Sequence, residues 1–223
     1  MTYLPLNLAN GDTIPLGGQT WGAKNDGQPY SLQMSPGYDA MRFEAATGEY
    51  GPGDPATDIR SQLWGPTIPA NTAYLCSFDF MMEPGVAADL SWLILWEINR
   101  AGESPLLALD AKFVNGAWVL SVDWNFQAPG GPVVYSSLAK VSFTPGHVYS
   151  CQIAFVDAMG LPTGAASITL DGAPIVNETG IVTGYASATV PAHPSLGIYG
   201  GVVKPAPMPQ IDIVAWYLSP SFK

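Results

Sequence analysis

Two polar side chains, Glu97 and Asn99, end an otherwise apolar stretch that begins at Trp92. Side chains of a β-strand alternate between its two faces, so a carboxylate and a carboxamide two residues apart point the same way. A strand that ends in this manner presents hydrogen-bonding groups to a ligand. We therefore predict ligand contact at Glu97 and Asn99. The alternative is a polar strand end that bonds only to neighbouring strands.

Strict alternation through this stretch predicts the composition of each face. Trp92 and Trp96 are expected on a purely apolar core face. The members of that face are Trp92, Ile94, Trp96 and Ile98. The members of the face that begins apolar and ends polar are Leu93, Leu95, Glu97 and Asn99.

A second strand, 58–64, places Arg60 and Gln62 on one face with Asp58. Arg60 is a candidate ligand contact or, equally, half of a structural ion pair with Glu44 or Asp58. Aromatic rings offer a flat apolar contact surface, and carboxylates and amides offer hydrogen bonds. Trp64 and Trp124 fit a rim or groove, whereas most of the other tryptophans are expected in the core.

The sequence gives little support for glycosidase or histidine-based catalysis. Glycosidases need two carboxyl groups roughly 5 to 10 Å apart, and Glu97 with Glu103 or Glu44 would be the candidates, but no strand carries closely spaced acids. His147 and His193 lie beside turns and are expected to face solvent.

Cys76 and Cys151 fall on apolar faces and are predicted to be buried free thiols. With two cysteines and two histidines far apart in the sequence, there is no zinc signature, and we predict no metal and no cofactor. No nucleophile elbow or phosphate loop is present.

Composition limits both fold and partners. Of 223 residues, 12% are charged, 24 are Gly and 21 are Pro, which disfavours helices and supplies turns between short strands. The formal net charge of −10 opposes binding to nucleic acid or to anionic membranes. No apolar run is long enough to span a membrane, so membrane insertion is not expected.

About a dozen short strands are expected, with strong two-residue hairpin signals at Asn115-Gly116 and Asp171-Gly172. This pattern indicates an all-β fold, a two-sheet antiparallel β-sandwich or jelly roll. Residues 1–36 are expected to be an irregular N-terminal segment, a possible attachment arm, and residues 37–223 a β-jelly-roll domain. The start at Met1 lacks a signal peptide, which predicts synthesis in the cytoplasm.

Several segments together resemble the concanavalin A-like jelly roll of polysaccharide lyases of the heparin-lyase and glucuronan-lyase type. They follow the order of that family over residues 38–218. The segments are Arg42-Phe-Glu44, Asp58-Ile-Arg-Ser-Gln-Leu63, Tyr74 to Phe80, Trp92 to Pro105, Gly146 to Phe155, Ile168 to Gly172 and Leu196-Gly-Ile-Tyr199.

The resemblance also implies altered catalytic positions. The family's Gln-x-His pair falls on Glu97 and Asn99, the Glu after its arginine falls on Gln62, and its Lys before the Gly-x-Tyr strand falls on Ser195. A lyase must neutralise a uronate carboxylate and move protons with a general base and acid. Glu97 would repel a uronate and Asn99 is no base, whereas the matching Arg60 and Tyr199 are retained.

These observations predict a non-catalytic protein that binds surface polysaccharide or oligosaccharide. The predicted ligand-binding residues are Arg60, Gln62, Trp64, Glu97, Asn99, Trp124 and Tyr199. A virion or phage-like particle protein is the expected context, with possible oligomer or virion contacts through the N-terminal segment. The first alternative is a β-eliminating lyase that uses Tyr199 as base and acid beside Arg60. The second is a structural virion decoration domain.

Overall fold

The computed structural model describes residues 6–25, 28–46, 55, 58–85, 90–202 and 212–223. This part of the chain consists of strands, turns and bends without a helix. The strands are β1 (Leu6–Asn7), β2 (Thr13–Leu16), β3 (Gln19–Asn25), β4 (Leu32–Met34), β5 (Ala40–Ala46), β6 (Asp58–Trp64), β7 (Ala73–Met82), β8 (Leu90–Asn99), β9 (Leu107–Val114), β10 (Ala117–Gln127), β11 (Val133–Ser142), β12 (Tyr149–Val156), β13 (Gly164–Leu170), β14 (Ala173–Ile181), β15 (Gly184–Tyr185), β16 (His193–Val202) and β17 (Asp212–Phe222).

The strands form two antiparallel sheets, which confirms the predicted β-sandwich. One sheet has eight strands in the order β1-β4-β5-β17-β7-β12-β13-β14. The other has nine, of which eight follow the order β11-β10-β9-β8-β16-β6-β3-β2, and the short β15 pairs with β10 in parallel. Apolar side chains from both sheets form one continuous core, including Trp96 of β8 and Tyr217 of β17.

Local turn chemistry explains several strand pairs. At the predicted hairpins, Asn115-Gly116 and Asp171-Gly172, both turn residues have positive φ, as a two-residue turn with the twist of a hairpin requires. Gly17 and Gly18 make the same kind of connection between β2 and β3, where Leu16 faces Gln19. These turns fix the register of three hairpins.

The prediction of an irregular segment at residues 1–36 is wrong for its described part. Strands β1 to β4 lie there, and they extend both sheets: β1 and β4 join the eight-stranded sheet, and β2 and β3 join the other. Trp21 of β3 is fully buried in the core and packs against Phe222, with ring centroids 4.4 Å apart. These strands belong to the sandwich.

Two other segments differ from what the sequence pattern predicts. The pattern predicts two short strands, 133–135 and 138–143, but the structure has one strand there, β11. It also predicts a loop at 179–194, because the residues there are polar and small, but this range contains the end of β14, the short β15 and the start of β16. Tyr185 of β15 packs in the core.

A β-bulge in β8 overturns the predicted division of its faces. Ile94 lies opposite Asp110 and Trp96 lies opposite Leu109, so Leu95 is an extra residue relative to β9. The core therefore contains Leu93, Leu95, Trp96 and Ile98. The outer face of the sheet carries Trp92, Ile94, Glu97 and Asn99.

A matching irregularity in β16 accompanies the bulge. Between the pairs Leu196 with Trp96 and Tyr199 with Ile94, β16 has one residue more than β8. The Tyr217 hydroxyl, from the opposite sheet, donates to the carbonyl oxygens of Leu95 and Gly197. One buried side chain therefore satisfies acceptors in both irregular segments.

The two cysteines are buried and free, as predicted. Cys76 faces Ile153 and Cys151 faces Phe78 across β7 and β12, which places the thiols diagonally on the core face. Burial raises the pKa of Cys151 to about 12. A thiol that stays protonated in an apolar core is a weak nucleophile.

Candidate functional site

The outer face of the nine-stranded sheet brings side chains from distant segments into rows. In one row the consecutive partners across six strands are Trp64, Ser195, Glu97, Ala108, Asp123 and Ser137. In a parallel row they are Arg60, Tyr199, Ile94, Asp110, Ser121 and Lys140. The bulge in β8 aligns these rows, because it sets Ile94 and Glu97 on the same face.

A cleft of about 580 Å³ lies over one end of these rows, and we call it the proximal cleft. It brings together five of the seven predicted ligand-binding residues. Its lining residues are Lys24, Arg60, Trp64, Trp92, Ile94, Glu97, Asn99, Arg100, Ala101, Gly102, Glu103, Ser104, Pro105 and Tyr199.

The floor of the proximal cleft is a connected hydrogen-bond network. Gln62 is fully buried: its Oε1 accepts from Arg60 at 3.1 Å, and its Nε2 donates to Glu97 Oε1 at 3.1 Å. Asn99 Nδ2 donates to the same Glu97 oxygen at 2.8 Å and to Ser195 Oγ at 3.2 Å. The predicted contact Gln62 therefore lies beneath the lining and holds the polar groups in place.

Glu97 is the most unusual group in this network. Its side chain is buried, and burial raises the pKa of its carboxyl group, although the amides of Asn99 and Gln62 and the charges of Arg60 and Lys24 oppose that shift. Oε2 has no hydrogen-bond partner among the described residues. A buried polar atom costs free energy when it is unpaired.

Arg60 and Tyr199 form a second unit of the floor. The Arg60 guanidinium lies 3.7 Å from the centroid of the Tyr199 ring, a cation–π contact. The Tyr199 hydroxyl donates to Asp58 Oδ2 at 2.9 Å, and its ring meets Trp92 edge-on at 4.7 Å. Glu44, one of the two carboxylates considered as an ion-pair partner of Arg60, pairs with Arg42.

Trp64 forms the far side of the proximal cleft. Lys24 Nζ lies 4.1 Å from its ring centroid, and its indole N–H donates to Gln62 at 3.2 Å. His193 was expected to face solvent but is half-buried, with its ring 4.6 Å from that of Trp64. Burial and the nearby Lys24 charge lower the pKa of His193 to about 4, which keeps the imidazole neutral at pH 7.

The turn 100–105 forms one wall of the proximal cleft. Its Arg100 is buried and pairs with the buried Asp157, which also accepts from the backbone N–H of Met159 at 3.0 Å. The Tyr185 hydroxyl donates to the carbonyl of Ser104 at 3.1 Å, and Asn125 Nδ2 donates to that of Pro105 at 2.7 Å. Three separate bonds therefore hold the wall.

A second cleft of about 560 Å³, the distal cleft, continues over β9 to β11. It shares four lining residues with the proximal cleft: Trp92, Ile94, Ser104 and Pro105. Lys112, on its floor, bridges Asp110 and Asp123, and Tyr135 stands at its edge with 69% of its surface exposed. The two clefts form one groove across the sheet.

The structure does not place Trp124 in this groove. Its ring packs on the core side, stacked 4.3 Å from Phe126, and its N–H donates to the carbonyl of Val182 at 3.0 Å. Sequence reasoning missed Trp92 and Lys24 as lining residues. Only the bulge would have revealed Trp92, and the assignment of residues 1–36 as irregular concealed Lys24 of β3.

Two absences hold for the described residues. No three or more His, Cys, Asp or Glu side chains gather there in a group that could hold a metal ion. In the same ranges we find no helix with the length and hydropathy needed to cross a membrane.

Comparison with known proteins supports the fold. No protein-family model and no curated protein matches the sequence. An endo-β-1,4-glucuronan lyase from the fungus Trichoderma reesei is similar in structure, with a TM-score of 0.64 at 13% identity over 97% of this chain and 93% of that one. An alginate lyase from Klebsiella pneumoniae has the same TM-score and identity, over 97% and 98%.

The alginate lyase A1-II′, a member of polysaccharide lyase family 7, matches with a TM-score of 0.63 at 13% identity, over 91% of this chain and 93% of that chain. At this identity the likeness shows the fold. It confirms the predicted resemblance to the jelly roll of polysaccharide lyases.

Proposed function

We propose that the protein binds a polysaccharide chain along the groove of its nine-stranded sheet without cleaving it. The observation that carries this proposal is the proximal cleft, in which Trp64 and Trp92 flank a buried hydrogen-bond network. Sugar rings present an apolar face and a rim of hydroxyls, so they need both kinds of surface. The likeness to glucuronan and alginate lyases supports a glycan as the ligand.

The chemistry of the floor supports binding rather than β-elimination. The Tyr199 hydroxyl already donates its proton to Asp58. Asn99, a carboxamide, cannot take up a proton from a sugar carbon, and its N–H groups are engaged with Glu97 and Ser195. The imidazole of His193, with a pKa of about 4, is a poor general base.

Glycan binding is tested by calorimetric titration of the protein with oligoglucuronates, oligomannuronates and cello-oligosaccharides. We expect saturable binding to at least one series, and a change in tryptophan fluorescence because Trp64 and Trp92 line the cleft. Trp92→Ala should weaken that binding about tenfold through loss of stacking. If no series binds, the groove does not bind these glycans and a structural role for the domain is favoured. If a series binds but Trp92→Ala leaves its affinity unchanged, the glycan does not bind in the proximal cleft.

A β-eliminating lyase is the second candidate function. The observation that favours it is the Arg60 guanidinium on the Tyr199 ring, which brings a cation for a uronate carboxylate next to a proton-transferring phenol. Tyr199 would then act as base and acid.

The two candidates differ in whether an unsaturated product forms. Incubation with the same uronate polymers should give no increase in ultraviolet absorbance if the protein only binds. Steady product formation that is abolished in Tyr199→Phe, but not in Tyr38→Phe outside the cleft, would overturn the binding-only proposal.

The expected association with a virion or phage-like particle stays a prediction, as does synthesis without export. The N-terminal segment was expected to be an attachment arm. In its described part it consists of strands that belong to both sheets. Light scattering of the purified protein measures self-association, and co-sedimentation with particles from the native source measures assembly. A protein that is monomeric and absent from particles would contradict this part of the proposal.

A further inference from the structure

We infer that the distal cleft is a second subsite, which binds another pyranose ring of the same glycan chain. This inference rests on the proposed function and deepens it. The proximal and distal clefts meet over Trp92, Ile94, Ser104 and Pro105. A chain that fills the proximal cleft therefore continues into the distal cleft without leaving the protein surface.

The length of the groove suits several linked rings. Trp64 lies on β6 and Tyr135 on β11, and the strand order places four strands between them. Neighbouring strands are about 4.8 Å apart, which gives about 24 Å across the sheet. A monosaccharide would occupy only a fraction of that length.

Tyr135 provides the aromatic surface of the distal subsite. It lies opposite Asn125 on β10 and lines the distal cleft with it. Its exposed fraction, 69%, is larger than that of any other large apolar side chain in the described part of the chain. A single exposed aromatic residue is ordinary, but a ring at the edge of a polar groove can stack on a sugar and keep its hydroxyl in water.

Lys112 and Asp123 provide the polar contacts. Lys112 Nζ lies 2.6 Å from Asp123 Oδ2 and 3.1 Å from Asp110 Oδ2. A sugar hydroxyl both donates and accepts, so it binds well where a donor and an acceptor lie side by side. The Lys112 and Asp123 side chains are 32% and 22% exposed, which leaves atoms of both accessible from the cleft.

Asp110 has a different role in the same cluster. It is buried, and its Oδ1 accepts from the backbone N–H of Leu93 at 2.8 Å, next to the bulge in β8. Asp110 thus helps to set the position of Trp92 and Ile94, where the two clefts meet. Its carboxyl group holds Lys112 from below while Asp123 faces the groove.

The test is the dependence of affinity on oligosaccharide length. Calorimetry would compare the disaccharide through the hexasaccharide of oligoglucuronate and of cello-oligosaccharide, with wild type and Tyr135→Ala. We expect the hexasaccharide to bind wild type at least about tenfold more tightly than the disaccharide. Tyr135→Ala should remove most of that gain and leave disaccharide affinity unchanged, because the disaccharide fits within the proximal cleft.

Two control variants separate stacking from folding defects. Tyr135→Phe keeps the ring and should keep most of the gain. Leu75→Ala, an exposed apolar residue on the other sheet, should match wild type throughout. If the hexasaccharide binds no more tightly than the disaccharide, or Tyr135→Ala leaves the gain intact, the distal subsite is overturned while glycan binding stands. If neither series binds wild type, glycan binding is overturned together with the subsite.

Discussion

The outer faces of the two sheets differ in the size of their clefts and in the residues that line them. The eight-stranded sheet has a smaller depression, of about 320 Å³, on its surface. Its lining residues are Leu75, Cys76, Ser77, Gln152, Ile153, Ala154, Ser167, Thr169, Ser221 and Lys223. The nine-stranded sheet carries the groove, where charged, amide and aromatic side chains bond to one another.

The difference lies in how the outward residues are covered. Strand alternation places polar side chains outward on both sheets. On the nine-stranded sheet the turn 100–105 and the aromatic rims enclose them, so Gln62 and Glu97 are buried although they face away from the core. Enclosure lowers the local dielectric and strengthens each polar contact. The walls, rather than the sheet itself, form the proximal cleft.

The largest effect is expected from breaking the ion pair that holds the turn 100–105, the wall of the proximal cleft. Asp157→Asn leaves the Arg100 guanidinium buried without its carboxylate. Loss of one partner of a buried ion pair costs about 3 kcal/mol or more, and we expect a decrease of that size in the free energy of unfolding, measured by urea denaturation. Glu103→Gln, which removes a 3.5 Å contact to the same Arg100 from a partly exposed side chain, should cost less than about 1 kcal/mol. Equal losses in the two variants would contradict this account of the wall.

The next largest effect is expected from removing an aromatic side chain at the rim of the proximal cleft. Trp64→Ala deletes the ring that contacts Lys24 and His193 and borders the proximal cleft. We expect the dissociation constant for the best-binding oligosaccharide to rise about tenfold or more. Leu75→Ala, on the opposite face, should leave it unchanged. Comparable changes in both variants would show that the contrast between the two faces does not determine where the ligand binds.

The smallest effect concerns the buried carboxyl group of Glu97. Because its pKa is raised in the folded protein, the folded state holds its proton more tightly than the unfolded chain. The resulting stability is complete below the unfolded pKa, about 4.3, and is lost as pH rises through the folded pKa. Glu97→Gln stays neutral at every pH, so we expect its melting temperature, relative to wild type, to increase as the pH rises above that unfolded value.

Glu178→Gln, on an exposed position of β14, is the matched control for that measurement. Its melting temperature relative to wild type should show no comparable dependence on pH. If the difference between Glu97→Gln and wild type is constant over this pH range, Glu97 does not titrate with a raised pKa.

Sequence patterns identified the fold and much of the proximal cleft. Turn chemistry predicted the hairpins at Asn115-Gly116 and Asp171-Gly172, and alternation placed Glu97 and Asn99 on one face. These features depend on local rules that act within one or two strands. The cleft residue Tyr199 was found only through a resemblance that follows the order of segments along the chain.

Features that depend on contacts between distant strands were not predictable in this way. Trp92 changed faces because Leu95 is an extra residue in the ladder with β9, and nothing in the alternation of apolar residues marks that position. His193 is enclosed by Trp64 from another strand. Trp124 fitted a groove by spacing alone, but its N–H binds a carbonyl on the core side.

The paired irregularities of β8 and β16 have a consequence for engineering. Gly197 has a φ of +125°, and a Cβ atom there would lie 2.4 Å from the Ser61 carbonyl oxygen and 2.6 Å from the Phe43 ring. Transplanting the face that lines the proximal cleft to another jelly roll would therefore require the β8 bulge, Gly197 and the Tyr217 hydroxyl together. The same β8 sequence placed on a strand without the bulge would alternate regularly, which would expose Trp96 and Ile98 to solvent in place of Glu97 and Asn99.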